Sequence, residues 1–420
     1  MQIVSEAKKY VLRVRLFSRN AWLYLVATSL QGLSFGIWMV IFNLYLKSIN
    51  FQLDFAGNMS AVNCIATGLI ALPAGLLCEH IGPKRATLIS LASNLFNLVQ
   101  IVFLQSSVLL FASLASGLVG TIGWVASAPL LTENSQQEER TYLFSIYWVL
   151  MTFMGVIGSF AGGVMPDIFN AALGLSSSTE IGSPTGYRIT LIVATALALA
   201  ATVPILLIKE NKAVQRQKVG ALLSLKNIKN QSTIIKFMIP TGIIGFGAGF
   251  IVPLINLFFS NKFYATNEQI GIIFALSNIV LGIFTFVAPV LASRVGKVKA
   301  VLICQFSSMP FIMLITLAPN LTLATGAYLI RVALMNMAGP ITSAFQMEMV
   351  SESERATTSG LMVMADNIPR GITVSISGGM MNISDFYTPF LFTTVTYFLA
   401  GLLFFVFFRK AESDSTRTSN

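Results

Sequence analysis

Charge is what this chain has least of. Of 420 residues only 10% are Asp, Glu, Lys or Arg, while 55% are hydrophobic and the mean hydropathy is +0.75. A soluble domain carries about a quarter charged residues, so this chain cannot cover a water-facing surface. That excludes ordinary soluble enzymes, nucleic-acid binders and disordered proteins. Histidine is almost missing: His80 stands alone, no Cys/His/Asp group has metal-ligand spacing, and neither a metal nor a cofactor is expected. The three cysteines, Cys64, Cys78 and Cys304, lie inside apolar stretches and describe small hydrophobes rather than a disulfide framework. No G-x-x-x-x-G-K-[ST] loop is present, which argues against ATP hydrolysis. With no nucleophile–base or metal constellation either, the chain reads as no enzyme. The apolar run behind the basic N-terminus exceeds a signal-peptide core and has no clear small-residue cleavage site, so it reads as a first membrane helix.

What the chain does have is long apolar runs. Twelve of them fall at about 21–46, 55–79, 85–105, 107–132, 142–166, 187–208, 236–260, 269–293, 298–318, 321–347, 356–382 and 387–408. At about 20 residues per crossing, twelve spans leave room only for short loops. The expectation is an all-α membrane protein of twelve transmembrane helices. A cytoplasmic segment (1–20) precedes a first six-helix bundle (21–208), a basic cytoplasmic linker (209–235), a second bundle (236–408) and a cytoplasmic tail (409–420) expected to be disordered past Lys410. The Gly/Ser/Pro-rich stretch 170–186 reads as an external loop. With both termini inside, the internal segments hold 22 of the 27 basic residues and the external loops only Lys47, Arg188 and Lys262. The net charge of +10 is therefore topology, with no nucleic-acid partner implied.

The chain also repeats itself. GLLCEHIGPKRATLI from Gly75 matches PVLASRVGKVKAVLI from Pro289, placing Gly82 against Gly296. FNLYL (Phe42–Leu46) matches INLFF (Ile255–Phe259), placing Asn43 against Asn256. TENSQQEER ending at Arg140 matches MEMVSESER ending at Arg355, placing Glu133 against Glu348. Three ordered matches at offsets of 213 to 215 describe two parallel six-helix halves, a transporter plan with substrate near the midplane.

Over nearly its full length the chain resembles a major facilitator superfamily (MFS) transporter. Between segments two and three, that family carries roughly G-x-L-A-D-R-x-G-R-K; here stand Gly75, Leu77, Cys78, Glu79, His80, Gly82, Lys84 and Arg85, with Glu for Asp and His for Arg. The resemblance implies that Glu79 latches the cytoplasmic end of segment eleven when the outer side is open. An acid beside a helix N-terminus is electrostatically favourable. Segment five, GVIGSFAGGVMP, with Gly155, Gly158, Gly162 and Gly163, is similar to the glycine-rich motif of drug–proton antiporters, although Ser159 replaces the usual proline. The same small residues also describe a plain helix-packing stripe. The arginine that group carries in segment four is absent; Ser116 occupies the position that repeats to Arg331.

Charges at bilayer depth are expensive and usually functional, and three qualify: Arg331, Asp366 and Arg370. At 1.5 Å per residue Arg331 and Asp366 both lie about 15 Å from the nearer face, at the midplane. Asp366 and Arg370 share a helix face. They read as a proton site with an arginine partner, as a static pair joining segments ten and eleven, or as a net positive charge for an anionic substrate. The cavity is expected to be aromatic and amide-rich: Gln31, Phe35, Trp38, Asn63, Trp124, Tyr147, Trp148, Phe246, Phe250, Asn278 and Asn336. Such walls suit an amphipathic organic molecule rather than a bare ion. Glu133 with Arg140 and Glu348 with Arg355 form a duplicated set that reads as solvated helix caps taken singly and, because it is repeated, as pairs that close an inner gate.

The function expected is a monomeric secondary transporter of the inner cell membrane, working by alternating access, with proton-coupled efflux of drug-like small molecules. The alternatives are a carrier of an anionic amphiphile such as a lysophospholipid or organic anion, an uncoupled facilitator, or a membrane sensor that moves nothing.

Overall fold

A computed structural model describes residues 17–136, 139–175, 183–209, 230–351 and 354–417. All regular structure among these residues is helical. The first half comprises α1 (Arg19–Ser48), α2 (Leu53–Ile81), α3 (Pro83–Leu91), α4 (Ser93–Val102), α5 (Ser106–Glu133), α6 (Arg140–Ala172), α7 (Pro184–Ala200) and α8 (Thr202–Leu207). The second comprises α9 (Gln231–Gly249), α10 (Ile255–Lys262), α11 (Asn267–Val295), α12 (Lys297–Leu317), α13 (Leu321–Glu348), α14 (Arg355–Asn382) and α15 (Thr388–Arg417). The expected linker falls mostly at 210–229, outside the described residues, as does 176–182 of the external loop.

All twelve expected segments are helical, and three of them are interrupted. Segment three divides at Ala92, where the Ser90 hydroxyl donates to the Thr87 carbonyl and the Asn94 amide to that of Leu91, drawing carbonyls away from the helix. Segment six divides at Ala201, where the Pro204 ring excludes the i−4 carbonyl. Segment seven opens over 250–254 for the same reason at Pro253. The carbonyls freed nearby find new donors: Asn43 Nδ2 bonds Pro253 O at 2.9 Å, Ser377 Oγ bonds Phe250 O at 2.5 Å and Thr393 Oγ1 bonds Gly247 O at 2.8 Å. In a bilayer that replacement is obligatory. The tail departs from expectation too: with no Gly or Pro to stop it, α15 continues to Arg417.

Among the described residues, eleven helical units are long and apolar enough to cross a membrane by themselves. The remaining segment, segment eleven (α14), carries Asp366 and Arg370 and is not among them. It packs along α2 and α9.

The halves meet in two equivalent places, α2 against α14 and α11 against α6. Glycines make both crossings. A Cβ on Gly57 would stand 3.0 Å from Gly378 Cα, and one on Gly163 would stand 2.9 Å from Gly271 Cα. The internal repeat relates these four residues, so one close approach is used twice. The largest buried apolar cluster, including Leu44, Tyr45, Leu254 and Phe258, spans both halves near these crossings. At the basic end each half keeps separate clusters, one around Phe237 and Phe345 and another around Leu25 and Leu143. The apolar clusters thus join the halves at one end and stay separate at the other, where α2 and α14 still touch at Leu72 and Gly360.

Candidate functional site

A cavity of about 1190 Å³ lies between the halves, walled by α1, α2, α4 and α5 on one side and by Val252–Asn256, α11 and α14 on the other. It runs from the joined end to the basic end, where Glu79 and Pro129 face Thr357 across it. Four of the eleven residues expected in it are there: Phe35, Trp38, Asn63 and Trp124. Asn63 is held in place by donating to the Ser113 carbonyl and the Ser116 hydroxyl, both at 3.2 Å.

The other seven lie elsewhere, and their partners explain why. Gln31 donates to the Ala198 carbonyl at 3.1 Å and ties α1 to α7. Tyr147 is buried, stacked on Tyr24 with ring centroids 5.9 Å apart, while Trp148 is exposed and edge-on to Tyr147. Phe250 stacks on Phe392, and Phe246 lines a separate apolar groove between α9, α14 and α15. Asn278 and Asn336 donate to the carbonyls one turn back, Phe274 O at 3.0 Å and Val332 O at 2.8 Å, satisfying their amides within their own helices.

The charged group is rearranged relative to the sequence reading. Arg370 grips Asp366 along one helix face, with Nη2 at 2.7 Å from both carboxylate oxygens and Nε at 3.1 Å from Oδ2. Arg370 lines the cavity. Arg331 is not in this pair: 5% exposed, it donates from Nη2 to the Tyr397 hydroxyl at 3.0 Å on α15. The static pair between segments ten and eleven, one of the three readings, is not formed here: the ion pair lies inside α14 and Arg331 bonds Tyr397 separately.

The gating residues sit at the basic end. Gly82 caps α2 with φ 89°, and Lys84 Nζ donates to the Leu206 carbonyl at 3.2 Å. Gly75 and Glu79 line the cavity. In the duplicated acid–base set, Glu348 is bound by Lys297 rather than held only for a gate, Arg355 Nε donates to Met347 O at 3.1 Å and Arg140 Nε to Ser135 Oγ at 3.5 Å. Arg85 and Glu133 are also engaged. On segment five, Gly158 and Gly162 meet Leu33 and Ile37 of α1, Gly163 meets α11, and Gly155 faces open space. These contacts follow the packing reading of that motif.

Several residues that line the cavity or bond around it escaped the sequence reading. Asn97 and Gln100 on α4 line the cavity, and the signal that selected Asn63, an amide deep in an apolar run, applied to them equally. Asn43 and Asn256 bond each other across the halves at 3.1 Å, and Asn256 also donates to the Val40 carbonyl at 3.0 Å. Buried glutamates precede Arg140 and Arg355. Glu139 accepts from Gln136 N, and Glu354 accepts from Asn230 N and Nδ2. Tyr397 was hidden among the aromatics of segment twelve.

Comparison with known proteins follows the same lines. The model of the Major Facilitator Superfamily matches residues 24–239 and again 237–420. No curated protein matches the chain. Among solved structures it is similar to a bacterial homologue of the human lysosomal transporter Spinster, inward-facing and occupied, at TM-score 0.73 and 13% identity, covering 92% of this chain and 95% of that one. The nucleoside transporter NupG gives 0.73 and 15%, covering 93% and 99%. A bacterial homologue of the iron transporter ferroportin gives 0.69 inward-facing and 0.62 outward-facing, at 14% identity and covering 92% and 98% in both. The chain belongs to the Major Facilitator Superfamily: it is a multi-pass membrane transporter, not an enzyme.

Proposed function

We propose that this superfamily member exports amphipathic small molecules across the inner cell membrane as a monomer, by alternating access, in exchange for protons bound at Asp366. The observation that carries the reading is the cavity itself. Its walls are aromatic and amide-bearing, as an amphipathic organic ligand requires, and the Asp366–Arg370 ion pair stands at its edge, with Arg370 in the lining. Prising Asp366 from Arg370 there costs several kcal/mol, unless a proton takes the place of the guanidinium on the carboxylate. Proton binding and the state of the cavity wall are then linked. The cavity reaches the basic end, which the positive-inside rule makes cytoplasmic, so cargo enters from inside.

One observation favours a second reading. Arg370 itself lines the cavity, so an anionic headgroup could displace Asp366 from it. Under the first reading cargo and proton compete; under the second, an anion on Arg370 raises the proton affinity of Asp366 and the two bind together. Proteoliposomes with an imposed pH gradient test both, using cargo found by thermal-shift screening against drugs, lipids and organic anions. Asp366→Asn is expected to reduce gradient-driven flux at least tenfold, and undiminished flux would remove proton coupling. Arg370→Ala separates the readings: selective loss of anionic cargo supports the second, and equal loss of neutral and anionic cargo the first.

A further inference from the structure

The polar groups of the cavity are unevenly engaged, and the free ones gather in the first half. Gln100 on α4 is only 3% exposed, yet it lines the cavity, and its amide has no hydrogen-bond partner among the described residues. Asn97, three residues earlier on the same face, is equally unpartnered, as are the hydroxyls of Ser93 on α4 and Ser60 on α2. Asn63 on α2 commits its Nδ2 to Ser113 and Ser116 and keeps its Oδ1 as an acceptor. The opposite wall is satisfied from within. Asn256 donates to Val40 O and Asn367 to Val363 O, both at 3.0 Å, and Arg370 is gripped by Asp366. A buried amide left unmet destabilises a fold, so an amide held open to a cavity points to something that enters the cavity.

These groups flank a recess. α5 packs against both α2 and α4, and where it faces the cavity it carries Gly117 and Gly120. The floor between the two helices is therefore bare backbone, with amides and hydroxyls along both rims. The charge on this wall is Glu79, about 24 Å beyond Asn63 along α2 toward the basic end. An ammonium head would meet no carboxylate in the recess. A phosphate would find its cation, Arg370, on the opposite wall and already paired. Amides and hydroxyls, which both donate and accept, instead suit an uncharged head with several hydroxyls. Because they converge from two sides rather than in one plane, a thick ring bearing hydroxyls round its rim meets more of them than a flat heterocycle does.

We propose that the recess between α2 and α4 seats the polar head of the cargo, and that this head is a neutral polyol such as a glycosyl group. Its hydroxyls donate to Asn63 Oδ1 and exchange hydrogen bonds with the amides of Asn97 and Gln100, while the apolar remainder lies against Phe35, Trp38 and Trp124. The assignment rests on the reading above of an amphipathic cargo in this cavity and names the chemistry of its polar part.

Small probes that share a phenyl ring test it on the full-length protein in nanodiscs. With Cys78 and Cys304 replaced by alanine, the cavity-lining Cys64 is alkylated from the basic side; it adjoins Asn63, so an occupied recess covers it. Phenyl glucoside is expected to protect Cys64 at concentrations at least about tenfold below those needed of phenyl phosphate, phenyltrimethylammonium or benzyl alcohol. Gln100→Leu and Asn97→Leu should each weaken protection by phenyl glucoside about tenfold and leave that by benzyl alcohol unchanged. Because its amide meets no protein partner, Gln100→Leu should also raise the unfolding temperature, a gain that a residue holding the fold would not give. Stronger protection by phosphate or ammonium, or equal protection by all four probes, overturns the polyol head and leaves the amphipathic cargo standing. Glucoside protection that survives both leucine substitutions overturns the recess as its seat. Should Gln100→Leu not fold, Asn97→Leu carries the same comparison. No protection by any probe overturns the amphipathic cargo as well.

Discussion

The two halves of this transporter share their backbone devices and differ in their charges. The glycine crossings, the facing amides Asn43 and Asn256, and the turns at Gly82 and Gly296 all occur twice. The midplane charges occur once. The repeat puts Ser116 opposite Arg331, and the same offset of 215 puts Met151 and Gly155 opposite Asp366 and Arg370. The lesson is a division of labour. What is repeated lets two bodies pack against each other, and what is not repeated is where, on the function proposed above, cargo and coupling ions would be chosen. Symmetric substitutions should therefore have symmetric effects wherever the device is mechanical.

The glycine crossings give the largest expected effect. A side chain on Gly163 or on its counterpart Gly378 runs into backbone: Asn267 O at 2.7 Å in one case and Leu53 O at 2.8 Å in the other. Valine at either site should disfavour the cavity-open conformation by at least about 3 kcal/mol, a shift of over a hundredfold toward the state in which the joined ends part. Alkylation of Cys64 from the basic side should fall accordingly, and by similar factors in both variants. A tenfold difference between Gly163→Val and Gly378→Val would break the mechanical equivalence.

The amide pair is next, and here symmetry is imperfect. Asn43 donates to Pro253 O and to Asn256 Oδ1; Asn256 donates to Val40 O and accepts from Leu257 N as well. Removing Asn256 leaves more buried groups unmet, so Asn256→Ala should cost the closed end about 2 kcal/mol and Asn43→Ala about 1 kcal/mol. The same Cys64 labelling orders them, and the reverse order would show that the break at Pro253 carries the contact instead.

Which of these features could be read from residues alone follows a physical line. Segment number, internal repeat and the turn at Gly82 and Gly296 depend on apolar length and local backbone, and both are written in the chain. The break at 250–254 was hidden because proline is common inside membrane helices and stops one only where side chains can take over its carbonyls. Membership of the cavity was hidden for another reason. Gln31, Asn278 and Asn336 look like ligand-binding amides until their acceptors are seen, and a helix face is assigned inward or outward only by its neighbours. Asp366 and Arg370 were placed together correctly because their four-residue spacing is a local fact. Arg331 stands apart from that pair here, bonded to Tyr397, since depth alone says nothing about which helix a long side chain reaches.

The smallest effect belongs to the two turns, and it divides structure from gating most finely. Gly82 and Gly296 have φ of 89° and 88° with ψ of 151° and 159°, a region that alanine enters only under strain. Gly82→Ala and Gly296→Ala should each cost about 1 kcal/mol and lower the unfolding temperature equally. The surroundings of the turns differ, however: Glu79 lines the cavity beside the first, and the second has Ala292 and Arg294 in the last turn of α11. If the first turn also aims Glu79 at α14 during the transport cycle, Gly82→Ala should slow transport several times more than Gly296→Ala at the same loss of stability. Equal slowing would make both loops simple turns, and the gate would have to be sought among Glu133, Arg140, Glu348 and Arg355.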